Sequence, residues 1–114
     1  MLIRIVDHQV LNADIAERFS FANTALKDDS EPLWYFGIHW MNEGTTVIAI
    51  RDQRAEGGKA ILDLIMAAGE AYKKCVDLST FLLSREEEAD LIRELQCVKR
   101  RIRSGDVVDA ELVN

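Results

Sequence analysis

Few side chains in this 114-residue chain are of the kinds that make and break bonds: His8 and His39, Cys75 and Cys97, and carboxylates scattered along its length. His39 has the richest surroundings. It lies in LWYFGIHWMNEGTTVIAIRD, residues 33–52, which also holds both tryptophans. An imidazole titrates near neutrality, so His39 could exchange a proton with a ligand, and Tyr35 could add a hydroxyl. The plainer reading is a structural or exposed histidine, because no nucleophile or second carboxylate accompanies it. His8 has less around it. The two cysteines lack the Cys-x-x-Cys or His-x-x-x-His spacing of a zinc site, so no metal or cofactor is expected and both read as reduced thiols in a cytosol.

A second candidate is RAEGGKAIL, residues 54–62, where Gly57 and Gly58 join a strand to a helix. Free amides at a helix N-terminus can hold an anion, and Arg54 and Lys59 would add positive charge. It is not a Walker loop, because Gln53 stands at the first glycine position and Ala60 where Ser or Thr would bind magnesium. Arg54 and Gly57 match the Arg/Gln-x-x-Gly-x-Gly/Ala pattern, and here the stretch resembles the coenzyme A pyrophosphate loop of the GCN5-related acetyltransferases. Lys59 replaces the last small residue of that pattern. The resemblance covers about a dozen residues and implies a bound nucleotide or acyl-CoA, with an acetyltransferase-like activity as the alternative function. The plainer alternative is a glycine turn.

The third candidate is the basic patch Lys99, Arg100, Arg101 and Arg103, which closes a helix that opens SREEEAD. Acids in the first turn and bases in the last are what a helix dipole favours. The patch could also dock an acidic partner. It is too small to argue for nucleic acid, and the net charge of −6 opposes phosphate binding.

Chemistry of this kind needs a scaffold. With 48% hydrophobic and 30% charged residues, 1–114 reads as one folded domain with one core. No apolar run approaches the ~18 residues of a membrane span. The start MLIRIVDHQV lacks the apolar stretch of a secretion signal. A soluble, cytoplasmic protein is expected.

Within the domain, LIRIV predicts a strand over 2–6. Ile15, Phe19, Ala22 and Leu26 recur at helical spacing and predict a helix over 13–27, capped by Asn12 or Asp14, although RFSF could be locally extended. Residues 33–41 and 45–52 alternate as two strands of a hairpin. A loop Asn42-Glu43-Gly44 pairs Met41 with Thr45, Ile38 with Ile48 and Phe36 with Ile50, which puts Trp34, Phe36, Ile38 and Trp40 on one buried face. Ile61, Ile65, Ala68, Tyr72 and Cys75 predict a helix over 59–78. The segment 76–83 reads as helix or strand, with helix preferred. A helix over 85–104 follows, capped by Ser84 with Glu87, and then a short strand or tail over 106–114.

These elements compose a two-layer α+β domain: a hairpin-centred antiparallel sheet of three or four strands, helices on one face, and the C-terminal helices able to form an antiparallel helical hairpin. The hairpin's second face, Tyr35, Gly37, His39, Val47 and Ala49, is only half polar and leaves a shallow trough at Gly37. A sheet face of that character needs cover, and a second copy or a protein partner is the economical source. The function expected is therefore a non-catalytic adaptor, regulator or inhibitor, most simply a homodimer. A small phosphate-bearing ligand at Gly57 and Gly58 is the alternative.

Overall fold

In the computed structural model the described residues are 1–24 and 33–104, with the backbone alone for 98–104. The strand or tail expected over 106–114 lies outside them, as do residues 25–27 of the expected first helix.

The chain runs as β1 (Leu2–Arg4), β2 (Val10–Asn12), a 3-10 turn (Ala13–Ile15), β3 (Ala16–Asn23), β4 (Trp34–Trp40), β5 (Thr45–Ala49), α1 (Ala55–Glu70), β6 (Cys75–Asp77), a second 3-10 turn (Ser79–Phe81) and α2 (Arg85–Ser104). It is an α+β fold, built on two three-stranded sheets, β2-β1-β6 and β3-β4-β5. Strand β1 is antiparallel to β2 and parallel to β6, while β3-β4-β5 is an antiparallel meander. The segment after β6 joins the sheets: the Leu78 amide donates to the Arg4 carbonyl at 2.8 Å, and Leu82 bridges Ile50.

The helix expected over 13–27 is absent from the described residues. Asn12 does cap, its Oδ1 accepting from the Asp14 amide at 3.0 Å, but it caps only the 3-10 turn. From Ala16 the chain is a strand paired with β4, and a bulge between Ala16 and Arg18 interrupts the register. The helical spacing of Ile15, Phe19 and Ala22 marks no buried stripe: Ile15 and Ala22 are exposed, and in the strand Phe19 and Ala22 lie on opposite faces. Strand β1 is shorter than 2–6 because the chain folds back at once. Asp7 and His8 take φ of 58° and 60°, and the Gln9 amide donates to the Val6 carbonyl at 3.3 Å. Two successive positive φ values mark the tight hairpin turn whose twist suits paired strands.

The central hairpin is present with its pairing moved by two residues: Ile38 faces Thr46 and Phe36 faces Ile48. The loop is Met41-Asn42-Glu43, closed by the Trp40 amide on the Gly44 carbonyl at 3.1 Å. A shift of two preserves the alternation of faces, so the core face stands as expected. Phe36 and Ile38 are fully buried with Ile50, Ile61 and Leu82, and Trp34 and Trp40 pack at the edge of that cluster. Phe19 stacks on Phe36 at 6.1 Å between ring centroids, and Phe21 meets Trp34 at 5.8 Å.

Helix α1 covers this face through Ile61, Ile65 and Ala68. It stops at Glu70, well before the expected 78. Tyr72 turns to φ 53°, its amide donates to Gly69, and the Lys73 amide reaches back to Ala68. This is a Schellman stop with tyrosine in the place glycine usually takes. The segment 76–83 is accordingly strand and 3-10 turn, and it separates α1 from α2 in place of a helical hairpin. The Ser84 cap is present in full. Glu87 N–H donates to Ser84 Oγ and Ser84 N–H to Glu87 Oε1, both at 3.1 Å.

Candidate functional site

The second face of β3-β4-β5 is the surface that brings the most polar chemistry together. Alternation on β4 sends Tyr35, Gly37 and His39 to it. Strand β5 adds Thr45, Val47 and Ala49, and β3 adds Arg18, Ser20 and Ala22. Ser20 stands directly across from Gly37. The missing side chain there lets His39 lean along the sheet, and Ser20 Oγ and His39 Nε2 share a hydrogen bond of 2.8 Å. On the other side of the ring, Thr45 Oγ1 lies 3.3 Å from His39 Nδ1. A Cβ at position 37 would sit 3.2 Å from Ser20 Oγ and 3.6 Å from His39 Nε2. The glycine therefore makes the space in which the imidazole is held between two hydroxyls.

The residues expected around a trough do share this face, with Val47 opposite Gly37 and Ala49 opposite Tyr35, but Gly37 is buried and the space beside it is taken by Ser20 and His39. Its two ends differ. At the Tyr35 end, Ala49 is buried at 1%, its carbonyl taken by the Leu83 amide at 2.8 Å. The carboxylate of Glu88, from the first turns of α2, lies beside the Tyr35 hydroxyl. Burial first and that carboxylate second push the phenol up to about 12. At the other end, Val47 is 57% exposed beside His39 and the exposed Thr45. A cleft of about 120 Å³ lies along this edge, between Val6, Asp7, Val47, Leu83 and Glu88. That is below the several hundred cubic ångströms that usually enclose a small-molecule ligand.

A Ser–His contact of 2.8 Å has the length a nucleophile and its base require. The group orienting this imidazole is the neutral Thr45 hydroxyl, where a hydrolytic triad places a carboxylate that steadies the imidazolium. The arrangement serves better as a fixed pattern of donors and acceptors. The sequence does not single out Ser20 or Thr45, and the helix it predicts over 13–27 conceals the strand that carries Ser20. Aligning RFSF as a strand against Trp34–Trp40 would have put Ser20 across from Gly37.

The glycine pair occupies the first turn of α1 itself. Arg54 is the N-cap residue, and its guanidinium grips Asp52 with Nε–Oδ1 of 2.7 Å and a second contact of 2.8 Å. The pairing holds the Asp52 carboxyl below its usual value. Both glycines are buried. A Cβ on Gly57 would lie 2.1 Å from the Asp52 carbonyl oxygen, and one on Gly58 2.3 Å from the Phe21 ring. Packing explains both glycines, and Lys59 remains exposed beside them. Lys99, Arg100, Arg101 and Arg103 fall in the last turns of α2, where only the backbone is described.

Among the described residues no cluster of His, Cys, Asp and Glu could hold a metal ion, and no helix is long and apolar enough to cross a membrane. Cys75 and Cys97 are unpaired and exposed. No family model matches the chain, and no curated protein or solved structure proved similar to it.

Proposed function

We propose that this protein is a non-catalytic cytosolic binding protein, an adaptor, regulator or inhibitor, that takes a protein partner on the open end of its second sheet face. The observation that carries the reading is the setting of Val47. It is an exposed valine beside the floor made by Gly37, flanked by a preset Ser20–His39–Thr45 row, while its own chain covers the other end of the same face. An apolar centre with fixed polar neighbours is the composition of a protein contact. The two free, exposed thiols fit a reducing compartment. The phosphate-binding alternative draws less support, since Arg54 is already paired with Asp52 and the two glycines are accounted for by the close approach of Asp52 and Phe21.

A photo-crosslinking residue placed at Val47 in cells tests this, with the equally exposed Met66 on α1 as the control. The reading expects a discrete protein adduct from position 47 that is absent from position 66 and is lost when Gly37→Leu displaces the Ser20–His39 pair. Equal labelling from both positions, or none from either, sinks it.

A further inference from the structure

Strand β5 is the last of its sheet, yet the lane along its outer edge is already half filled. The Ile50 amide donates to the Trp34 carbonyl, so by alternation Thr45, Val47 and Ala49 turn their backbone groups away from β4. At one end of this edge the chain supplies its own neighbour. The Leu83 amide donates to the Ala49 carbonyl at 2.8 Å and the Arg51 amide to the Phe81 carbonyl at 2.9 Å, an antiparallel bridge through Ile50 and Leu82. Helix α2 then starts at Arg85, and the lane is left vacant beside Val47. Neither the N–H nor the C=O of Val47 has a backbone partner among the described residues.

The vacant part is the cleft of about 120 Å³. Thr46, Val47, Ile48 and Ala49 all line it, and four consecutive residues meet a cleft only at a strand's edge, because a face presents alternate ones. The β1–β2 turn, from Ile5 to Gln9, forms the opposite wall. Strand β3, the other edge of this sheet, carries two devices that discourage strand pairing: the exposed charges Glu17 and Arg18, and the bulge between Ala16 and Arg18. Residues 45–48 have neither. They are four β-branched residues in unbroken register, without charge or proline.

Building on the protein-binding function proposed above, we infer how the partner is held: an extended peptide segment of alternating basic and apolar residues adds to β5, antiparallel, in the lane that residues 81–83 begin. Its backbone meets the N–H and C=O of Val47. Residues paired with Val47 send their side chains to the face Val47 shares with Tyr35, where Glu88 lies. Basic side chains suit that side, because Asp7 and Glu88 outnumber Arg85 in the lining. The alternate side chains enter beside Ile5, Ile48 and Leu83 and are apolar. A strand needs only an open lane, whereas a small ligand needs several hundred cubic ångströms around it.

Nuclear magnetic resonance of the isotope-labelled full chain, titrated with the acetylated and amidated peptide Val-Lys-Val-Lys-Val, tests this. The expected result is saturable shifts at the amides of Thr45, Val47 and Ala49. They should vanish when both lysines of the peptide are N-methylated on the backbone, since those N–H groups face β5. Val47→Pro removes an N–H that points into the lane and spares the bonds to β4, so binding should weaken about tenfold, the worth of roughly one hydrogen bond. Asp7→Asn, a residue that accepts φ of 58°, should weaken it several-fold, and less at high salt. No shift with the plain peptide, equal shifts with the methylated one, or unchanged binding by Val47→Pro overturns strand addition. If Val47→Pro does not fold, the methylated peptide decides alone. Shifts at the same amides on concentrating the chain without peptide would give the lane to a second copy and overturn the peptide. A cellular adduct from position 47 together with a peptide that does not bind sinks strand addition and leaves the protein-binding reading standing, whereas a bound peptide without an adduct does the reverse.

Discussion

The Gln53 carboxamide completes the ladder of Trp34 where β5 has departed: its Oε1 accepts from the Trp34 N–H at 2.8 Å, and its Nε2 donates to the Trp34 carbonyl at 3.1 Å and the Ile50 carbonyl at 2.6 Å. One side chain thereby satisfies backbone groups of two strands at the point where the chain turns into α1.

Gln53→Ala should cost about 2 kcal/mol, because partly buried backbone groups lose partners that water cannot fully replace. Gln53→Glu is the sharper probe. A carboxylate keeps the acceptor but loses both donations, so it should destabilise to a similar degree. Urea unfolding followed by circular dichroism measures both, and a Gln53→Glu protein as stable as the parent would refute this account.

Gly58→Ala sets two effects against each other. Alanine gains up to about 1 kcal/mol of helix propensity over glycine. The new methyl would sit 2.3 Å from Phe21, and forcing extra volume into a packed site costs about 1–3 kcal/mol. Net destabilisation is expected, smaller when Phe21→Ala has removed the ring. A double-mutant cycle with no coupling between the positions would contradict the packing explanation for this glycine. Glutamates at Gly57 or Gly58 are consequently poor tests of anion binding, since they would disturb the fold first. Lys59→Glu, at an exposed site, asks that question cleanly.

Tyr35 should titrate late, at about 12 against the ordinary 10.0 of a phenol. A raised value means that the folded chain holds this proton more tightly than the unfolded chain does. Its contribution to stability is whole below pH 10.0 and is lost as pH climbs toward 12. Ultraviolet titration of a Tyr72→Phe protein isolates the signal, since Tyr72 is 92% exposed and dispensable to packing. Glu88→Gln should bring the value down part of the way, leaving the share due to burial. No movement in that variant would separate α2 from this face.

Legibility from sequence followed how local each signal was. The faces of β4 and β5 could be read because alternation survives a two-residue shift of register, even though the loop itself sat one pair further in. The cap of α2 could be read because Ser84 and Glu87 carry all of its chemistry within one turn. The sequence misleads where tertiary contacts or unusual turn residues decide. Strand β3 is hidden by the incidental helical spacing of Ile15, Phe19 and Ala22, the β1–β2 turn by Asp7 and His8 standing where glycine or asparagine is usual, and the end of α1 by Tyr72 in a glycine's conformation. Of the candidate site, Tyr35, Gly37, His39, Val47 and Ala49 were placed together correctly. Ser20 and Thr45, which give His39 its partners, required knowing which strands lie on either side.

The segment from Cys75 to Leu83 closes both sheets, β6 beside β1 and Leu82 beside Ile50. Emerging from a ribosome, the chain can zip its β1–β2 turn and its β3-β4-β5 meander early, from neighbours in sequence. Until this late stretch appears, however, both structures carry bare edges, and the contact between Leu2 and Cys75 reaches across most of the domain. The same stretch is then the clasp of the finished molecule, and its release would bare an edge of both sheets in one event.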